Sequence, residues 1–282
     1  MTTRFAVIGH PISHSMSPAM HNAVFEKLGL HCSYTLFDVS PTDLEASIKK
    51  MKEQGFGGVN VTIPHKVAVI KHLDDLSDEA GIIGAVNTVK FDDTLKGFNT
   101  DGIGALQALR AGGADPAGKK IVVLGSGGAA RAISVTIALR GDIAAMSILG
   151  IDKAELERLT GDIKIGAGFS AEALPLESRT IKDQISDADI LIHATPVGMH
   201  PKVGETLVSA GQMKPDLAVM DIVYNPLETR LMKEAKSAGV ETIISGVDMF
   251  VNQGAEALRI WLDIEPPVEL MKKVVVKGLL GK

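Results

Sequence analysis

The sequence predicts an α/β protein, and three observations lead there. Short apolar runs with strand character alternate with helical apolar periods along almost the whole chain, the pattern of a parallel sheet covered by helices. Glycine is abundant, at 29 of 282 residues, which suits many tight strand-to-helix turns. The chain is 45% hydrophobic with only 4% aromatics, so it buries a core built mainly of Val, Ile, Leu, Ala and Met. Its length fits one large domain or two of ordinary size.

The elements follow in order. "RFAVIG" reads as the first strand. Ser17 followed by Pro18 predicts a helix N-cap with proline in the first turn, and the helix "PAMHNAVFEKLG" stops at Gly29. "SYTLFDV" is a strand, Ser40–Pro41 opens another helix, and "GGVNVTIP" is a strand broken by Pro64. "GAVNTVKF" and "TLKGFN" form a pair of strands that closes the first half. A helix, "DGIGALQALRAGG", leads away from it. "GKKIVVLGSGGAARAISVTIALRG" is a strand, a glycine turn and a helix, and further strands follow at "AAMSIL", "ADILIHAT", "LAVMDI" and "VETIIS". Two helices, "MFVNQGAEALRIWL" and "PVELMKKVVVKGLL", close the chain. The expected division puts residues 1–101 with 247–282 in one domain and residues 102–246 in the other.

Composition narrows the function classes. A net charge of −5 and the lack of a long basic run argue against a nucleic-acid partner. The single cysteine, Cys32, rules out an internal disulfide and makes a cytoplasmic setting the default expectation. No apolar stretch reaches the roughly 18 residues a membrane span needs, and "MTTRFAVIG" is too short for a signal peptide. The spacing of His10, His14 and His21 fits no familiar zinc pattern, so no metal is expected.

The chemistry concentrates in a few stretches. In "VVLGSGGAARA", Gly125, Gly127 and Gly128 stand directly between an apolar strand and an apolar helix. A dinucleotide pyrophosphate needs backbone N–H groups at a helix N-terminus with no side chains in the way, and this context suits it. A tight turn that needs glycine only for its backbone angles is the alternative. Beyond the next strand, an NADP enzyme wants an arginine near Gly150, where Ile151 stands. Asp152 suits the ribose hydroxyl of NAD, or simply caps the next helix together with Glu155. Arg131, Lys153 and Arg158 are the cations within reach of a 2′-phosphate. In "GVNVTIPHK", Asn60 and Thr62 share a strand face and Lys66 lies just past Pro64, where a tuned lysine can transfer a proton. "GAVNTV" adds Asn87, and "GFNTDG" adds Asn99 and Asp101, the last also able to cap the following helix.

Taken together, "GHPISHSMSPAMHN", "GVNVTIPHK", "GAVNTV", "GFNTDG", "GSGGAARA", "DIVYNPLET" and "GVDMFVNQGA", in that order from about residue 5 to residue 262, resemble the shikimate dehydrogenase family. The resemblance implies an N-terminal α/β substrate domain plus a Rossmann-type doubly wound dinucleotide-binding domain, with the active site between them. It implies reversible reduction of 3-dehydroshikimate to shikimate with NADPH, a step of aromatic amino-acid biosynthesis. By resemblance, Ser15, Ser17 and Tyr224 hold the substrate carboxylate, and Thr62, Asn87, Asp101 and Gln253 hold the ring hydroxyls. Lys66 matches the catalytic lysine and Asp101 its partner. Gly125, Ser126, Gly127, Gly128, Ala129, Ile222, Gly246 and Asp78 match cofactor contacts.

Three stretches depart from the family pattern. The usual Asn-Arg-Thr reads Gly150-Ile151-Asp152, which brings in NAD as the alternative cofactor. "INATSxGM" becomes "IHATPVGM", with His193 in place of asparagine and a core role expected for it. Asp248 stands where glycine is common. The rival readings are an NAD-dependent quinate/shikimate dehydrogenase, an aminoshikimate dehydrogenase and a shikimate-binding sensor without turnover. The partner is a small-molecule substrate, and the chain is expected to be a monomer or homodimer.

Overall fold

The structure is a computed structural model and describes residues 2–281. The chain forms two compact units, one of residues up to Thr100 together with those from Gln253 onward, the other Asp101–Asn252.

The first unit holds β1 (Thr3–Gly9), α1 (Ser17–Leu28), β2 (Cys32–Asp38), α2 (Leu44–Glu53), β3 (Phe56–Val61), β4 (Asp75–Leu76), α3 (Asp78–Ile83), β5 (Thr88–Phe91) and β6 (Leu95–Phe98). Its strands are ordered β2-β1-β3-β5-β6-β4. β1 pairs parallel with β2 and β3, whereas β3–β5 and β5–β6 are antiparallel, so this sheet is mixed. β1 reads as an unbroken apolar run because Phe5 to Ile8 are all buried, Ala6 and Ile8 on one face and Phe5 and Val7 on the other. Met16 is the N-cap of α1 and makes no side-chain cap bond, which corrects the expectation for Ser17. Ser17 is the first helical residue, because Ser15 Oγ already accepts its backbone N–H at 3.3 Å. Gly29 ends α1 in the left-handed region at φ 63°. After Ser40 comes a short 3-10 turn, Pro41–Asp43, and α2 begins only at Leu44.

In the second unit are α4 (Asp101–Ala111), β7 (Lys120–Leu124), α5 (Gly128–Arg140), β8 (Ala145–Gly150), α6 (Lys153–Ala167), β9 (Glu172–Pro175), α7 (Ser178–Ser186), β10 (Ile190–His193), β11 (Ala218–Asp221), α8 (Arg230–Ser237) and β12 (Ile243–Ile244). The strand order is β12-β11-β10-β7-β8-β9 and every pairing is parallel, the doubly wound Rossmann-type arrangement. The chain winds one way from β7 to β9 and the other way from β10 to β12, so the topological switch lies between β7 and β10. α9 (Gly246–Leu262) and α10 (Val268–Leu280) complete the chain. β9 carries no strand signal in the sequence. It is an edge strand in which three of four residues are exposed, so its pairing with β8 leaves no apolar pattern.

Aromatic side chains gather on one face of the first sheet. Trp261 stacks on Phe5 with centroids 4.8 Å apart, and His21 stacks on Tyr34 at 4.3 Å. Trp261 donates its indole N–H to Val89 O at 3.0 Å and lies over Gly58. His21 is fully buried, neither ring nitrogen has a hydrogen-bond partner among the described residues, and burial pushes its pKa down from 6.5 to about 3.

The cluster can be tested at two positions. A Cβ at Gly58 would lie 2.2 Å from Trp261 Nε1. Gly58→Ala should therefore cost about 1–3 kcal/mol of stability in a denaturant titration, the range for overpacking a tight core. His21 titrates near pH 6.5 when unfolded and near 3 when folded, so the unfolded chain binds the extra proton between those values. Stability held by the neutral ring is intact above pH 6.5 and falls by about 1.4 kcal/mol per unit as pH drops through that window. His21→Phe should flatten that slope in unfolding curves measured from pH 7 to 5.

Candidate active site

The end of β3 organises the first unit's polar groups. Thr62 N–H donates to Ile8 O at 2.9 Å, and the Thr62 methyl fills the space beside Gly9. Past Pro64 the chain turns, with His65 N–H donating to Thr62 O at 2.9 Å. The His65 ring is buried and its Nε2–H donates to Val39 O at 2.7 Å, tying the turn to the residue after β2. Lys66, half-buried, follows at once, and its carbonyl accepts from Val86 N–H at 2.8 Å. That bond sets Lys66 beside the segment carrying Asn87.

Asn87 is 3% exposed and joins three segments. Its carbonyl oxygen accepts from Val61 N–H at 2.8 Å, and its side-chain oxygen accepts from Thr100 N–H at 2.8 Å. Asn60 donates to Asn87 O at 3.2 Å and to Thr88 Oγ1 at 3.0 Å, while accepting the Tyr34 hydroxyl at 2.6 Å. The Ser17 hydroxyl in turn donates to the Tyr34 phenol. Burial holds the Tyr34 pKa well above its usual value, so it stays a neutral donor. A continuous buried chain thus runs from Ser17 to Thr100. Asp101 comes next in sequence, buried at 7% exposure, as the first residue of α4.

Ser15, Ser17, Thr62, Lys66, Asn87, Asp78 and Gln253 all belong to the first unit. Asp78 sits exposed in the first turn of α3, and Gln253 is half-buried on α9. Tyr34 and His65 carry no signal in the sequence. Tyr34 is hidden inside an ordinary strand pattern, and His65 reads as a loop residue next to a more conspicuous lysine.

The second unit presents the glycine turn. Gly125 has φ 116°, and a Cβ there would lie 2.6 Å from Ala194 O, so both conformation and space require glycine. Gly127 is the N-cap of α5, makes no side-chain cap bond, and with Gly128 has open space where a Cβ would stand. The first N–H groups of this 13-residue helix are thus bare of capping side chains, which fits a pyrophosphate. Ala129 is half-buried in the first turn. The Ser126 hydroxyl donates to Glu155 at 2.8 Å.

At the end of β8, Asp152 accepts Glu155 N–H at 3.0 Å and caps α6, while Ile151 is 89% exposed. Arg131 pairs with Asp162, and Lys153 with Glu157 at 3.6 Å. Ile222 N–H donates to His193 O at 3.1 Å, and a Cβ at Gly246 would strike Ile222 O at 2.3 Å. Tyr224 stacks on Phe250 at 5.1 Å, and burial raises its pKa, so its hydroxyl stays a neutral donor. Asp248, where glycine is common, accepts both the hydroxyl (2.8 Å) and the N–H (3.2 Å) of Ser245 at the start of α9.

Among the described residues no group of three or more His, Cys, Asp or Glu is placed to hold a metal, and no helix is long and apolar enough to cross a membrane.

Comparison with known proteins matches residues 7–89 to the "Shikimate dehydrogenase substrate binding domain" and residues 246–276 to the "Shikimate 5'-dehydrogenase C-terminal domain". A shikimate dehydrogenase (NADP(+)) of Methanopyrus kandleri is 48% identical, over 99% of this chain and 96% of its own. The shikimate 5-dehydrogenase of Listeria monocytogenes, solved with shikimate and NAD, is 36% identical with a TM-score of 0.91 over 97% of this chain and 96% of that one. That of Thermus thermophilus, solved with NADP(H) and shikimate, is 37% identical with a TM-score of 0.87 over 99% and 100%. With likeness of this depth along nearly its whole length, the chain belongs to the shikimate dehydrogenase family.

Proposed function

We propose that this protein is a shikimate dehydrogenase, reversibly reducing 3-dehydroshikimate to shikimate with NADPH in the pathway to chorismate and the aromatic amino acids. The observation that carries the reading is the end of β3, where backbone bonds fix Thr62, Lys66 and Asn87 and a buried network runs on to Thr100, the residue before Asp101. The first unit is the substrate domain and the second the dinucleotide domain, with the expected boundaries at residues 101 and 247 falling at Thr100 and Gln253 in the structure. The protein acts on small molecules, as a monomer or homodimer in the cytoplasm, without nucleic acid or membrane.

The chain's own groups divide the work. Ser15 and Ser17 hydroxyls, with Tyr224, hold the carboxylate, the Ser17 proton turning from the Tyr34 phenol to the acid as it binds. Thr62, Asn87 and Gln253 supply groups that both donate and accept, as ring hydroxyls require. The bare N–H groups at Gly127 and Gly128 hold the pyrophosphate of the dinucleotide, with Gly125, Ala129, Ile222 and Gly246 leaving its path clear and Asp78 a further contact. The chemistry the dinucleotide supplies is hydride transfer to the carbonyl carbon of the substrate. Lys66 gives a proton to the carbonyl oxygen as that bond becomes an alcohol, and Asp101 orients the ammonium. In the reverse direction the neutral amine takes the proton back.

A second cofactor reading, NAD, is favoured by the end of β8. Ile151 offers no charge there, and Asp152 and Glu155 are both acidic. NADP then depends on Arg131, Lys153 or Arg158 for its 2′-phosphate.

Absorbance of reduced nicotinamide, with shikimate or quinate offered with NADP or NAD, tests the proposal. Turnover of shikimate with NADP is expected; a preference for quinate would move the protein to the sister class. Lys66→Met should lower kcat about a thousandfold, within the range for a lost proton-transfer group, while shikimate still binds in calorimetry. A kcat near that of the unchanged enzyme would remove Lys66 from the mechanism. Asp152→Asn keeps the cap of α6 and deletes a charge. It should raise kcat/KM for NADP about fivefold, as for one like-charge contact near a surface, and leave that for NAD unchanged or lower.

A further inference from the structure

His193 is buried at 2% exposure, and both ring nitrogens are bonded. Nδ1 faces Asp221 Oδ1 at 2.9 Å, and Nε2 faces Thr195 Oγ1 at 2.5 Å. Asp221 is fully buried and already surrounded by donors. Its Oδ1 also accepts Val223 N–H at 3.0 Å, and its Oδ2 accepts the Thr229 hydroxyl at 2.5 Å. Thr229 has no other proton to give, since its oxygen caps α8 by accepting Met232 N–H. Nδ1 must therefore carry a proton and donate it. With the proton on Nδ1, the neutral form of the ring accepts at Nε2. The single hydroxyl proton of Thr195 then points inward, to Nε2. The Thr195 oxygen also accepts Val197 N–H at 3.2 Å, which leaves it one lone pair directed elsewhere.

The place matters as much as the ordering. Thr195 lies two residues past the end of β10, beside the topological switch, and its Cγ2 would be 3.2 Å from a Cβ at Gly125. In such a sheet the pyrophosphate lies on the glycine turn and the adenosine half over the strand after it, here β8. The other nucleoside half then falls on the side of β10 and β11, where Thr195 stands half-buried. An oxygen that only accepts suits a ligand N–H or O–H and rejects a phosphate oxygen.

We propose that His193 is a positioning residue for the nicotinamide half of the dinucleotide: anchored on Asp221, it takes the Thr195 proton, so that Thr195 presents a lone pair to a donor on the ligand. That donor is the carboxamide N–H of the nicotinamide or a hydroxyl of its ribose. The inference rests on the dinucleotide reading above and assigns a chemical preference within it.

Calorimetric dissociation constants test it with three ligands: NADP, its 3-acetylpyridine analogue, in which the amide N–H is replaced by a methyl group, and adenosine 2′,5′-bisphosphate, which lacks the nicotinamide half. Thr195→Val should weaken NADP about fivefold, the worth of one hydrogen bond, and leave the bisphosphate unchanged. If the analogue is insensitive to that substitution the carboxamide is the donor; if it weakens as NADP does, the ribose is. His193→Asn can still donate to Asp221 and accept from Thr195, so it should bind NADP as the unchanged protein does, whereas His193→Leu should bind like Thr195→Val. Nitrogen-15 spectra of the histidine-labelled protein, assigned by the His193→Asn variant, give a second readout that needs no ligand. They should show His193 protonated at Nδ1 alone at neutral pH. Two protonated nitrogens, or equal weakening of NADP and the bisphosphate by Thr195→Val, would overturn the proposal. If the unchanged protein binds neither ligand, the dinucleotide reading fails, and the spectra still decide which way the Thr195 proton points.

Discussion

One buried amide, that of Asn87, holds the chemistry-bearing end of the first unit. Its backbone oxygen ends the pairing of β3, its side-chain oxygen takes the N–H of Thr100, and the neighbouring Val86 fixes the carbonyl of Lys66. Apart from Val61, the last residue of β3, these segments are not regular structure at that point and have no ladder of their own to hold them. At 3% exposure the amide cannot exchange these partners for water. An unmet polar group there would cost about 1–3 kcal/mol, and each bond in the chain from Tyr34 through Asn60 to Thr88 strengthens the next. Rigidity where Thr62 and Lys66 must present their side chains is thus a product of polar satisfaction rather than of apolar packing.

The second unit meets a different constraint. Its parallel strands end in a crowded edge where backbones approach too closely for side chains. A Cβ at Gly125 would strike Ala194 O, and one at Gly246 would strike Ile222 O. At the start of α5 the space is open instead: Gly127 and Gly128 bring no side chain, so the first N–H groups are left for a ligand. Glycine here serves contact first and flexibility second; only Gly125, at φ 116°, needs both.

What is legible in the sequence is what local physics decides. Strand alternation, Gly29 as a helix stop and the glycine turn each depend on a few neighbouring residues, and each stands as expected. Asp152 does cap α6, although Glu155 does not complete the pair: it turns to Ser126 instead, a partner 29 residues away. Ser17 misleads because a serine before proline resembles an N-cap, while Ser15, two residues earlier, has already taken its N–H. β9 has too little apolar character to announce itself. The roles of Tyr34, His65 and His193 are hidden for one reason: each depends on a partner 26 or 28 residues distant, and no short pattern records such a pairing.

A protein of net charge −5 that binds an anionic acid and a pyrophosphate gains nothing from its overall field. Salt screens that field beyond about 8 Å in any case. Attraction must therefore come from donors at contact distance, held in place before the ligand arrives. The donors present are hydroxyls, amides, one lysine and helix-end N–H groups, and several are oriented by a second group behind them. The turn that carries Lys66 is backed by His65, and the Asn87 amide by Asn60 and Thr100. Dipoles fixed in this way lose their freedom during folding, so little is left to lose on binding. That arrangement explains why so many of the buried polar groups in this chain lie one step behind a residue proposed to touch a ligand. It also explains why the loss of the usual arginine at Ile151 is tolerable: in a site built on short-range donors, one long cation is a matter of cofactor preference and leaves the reaction itself intact.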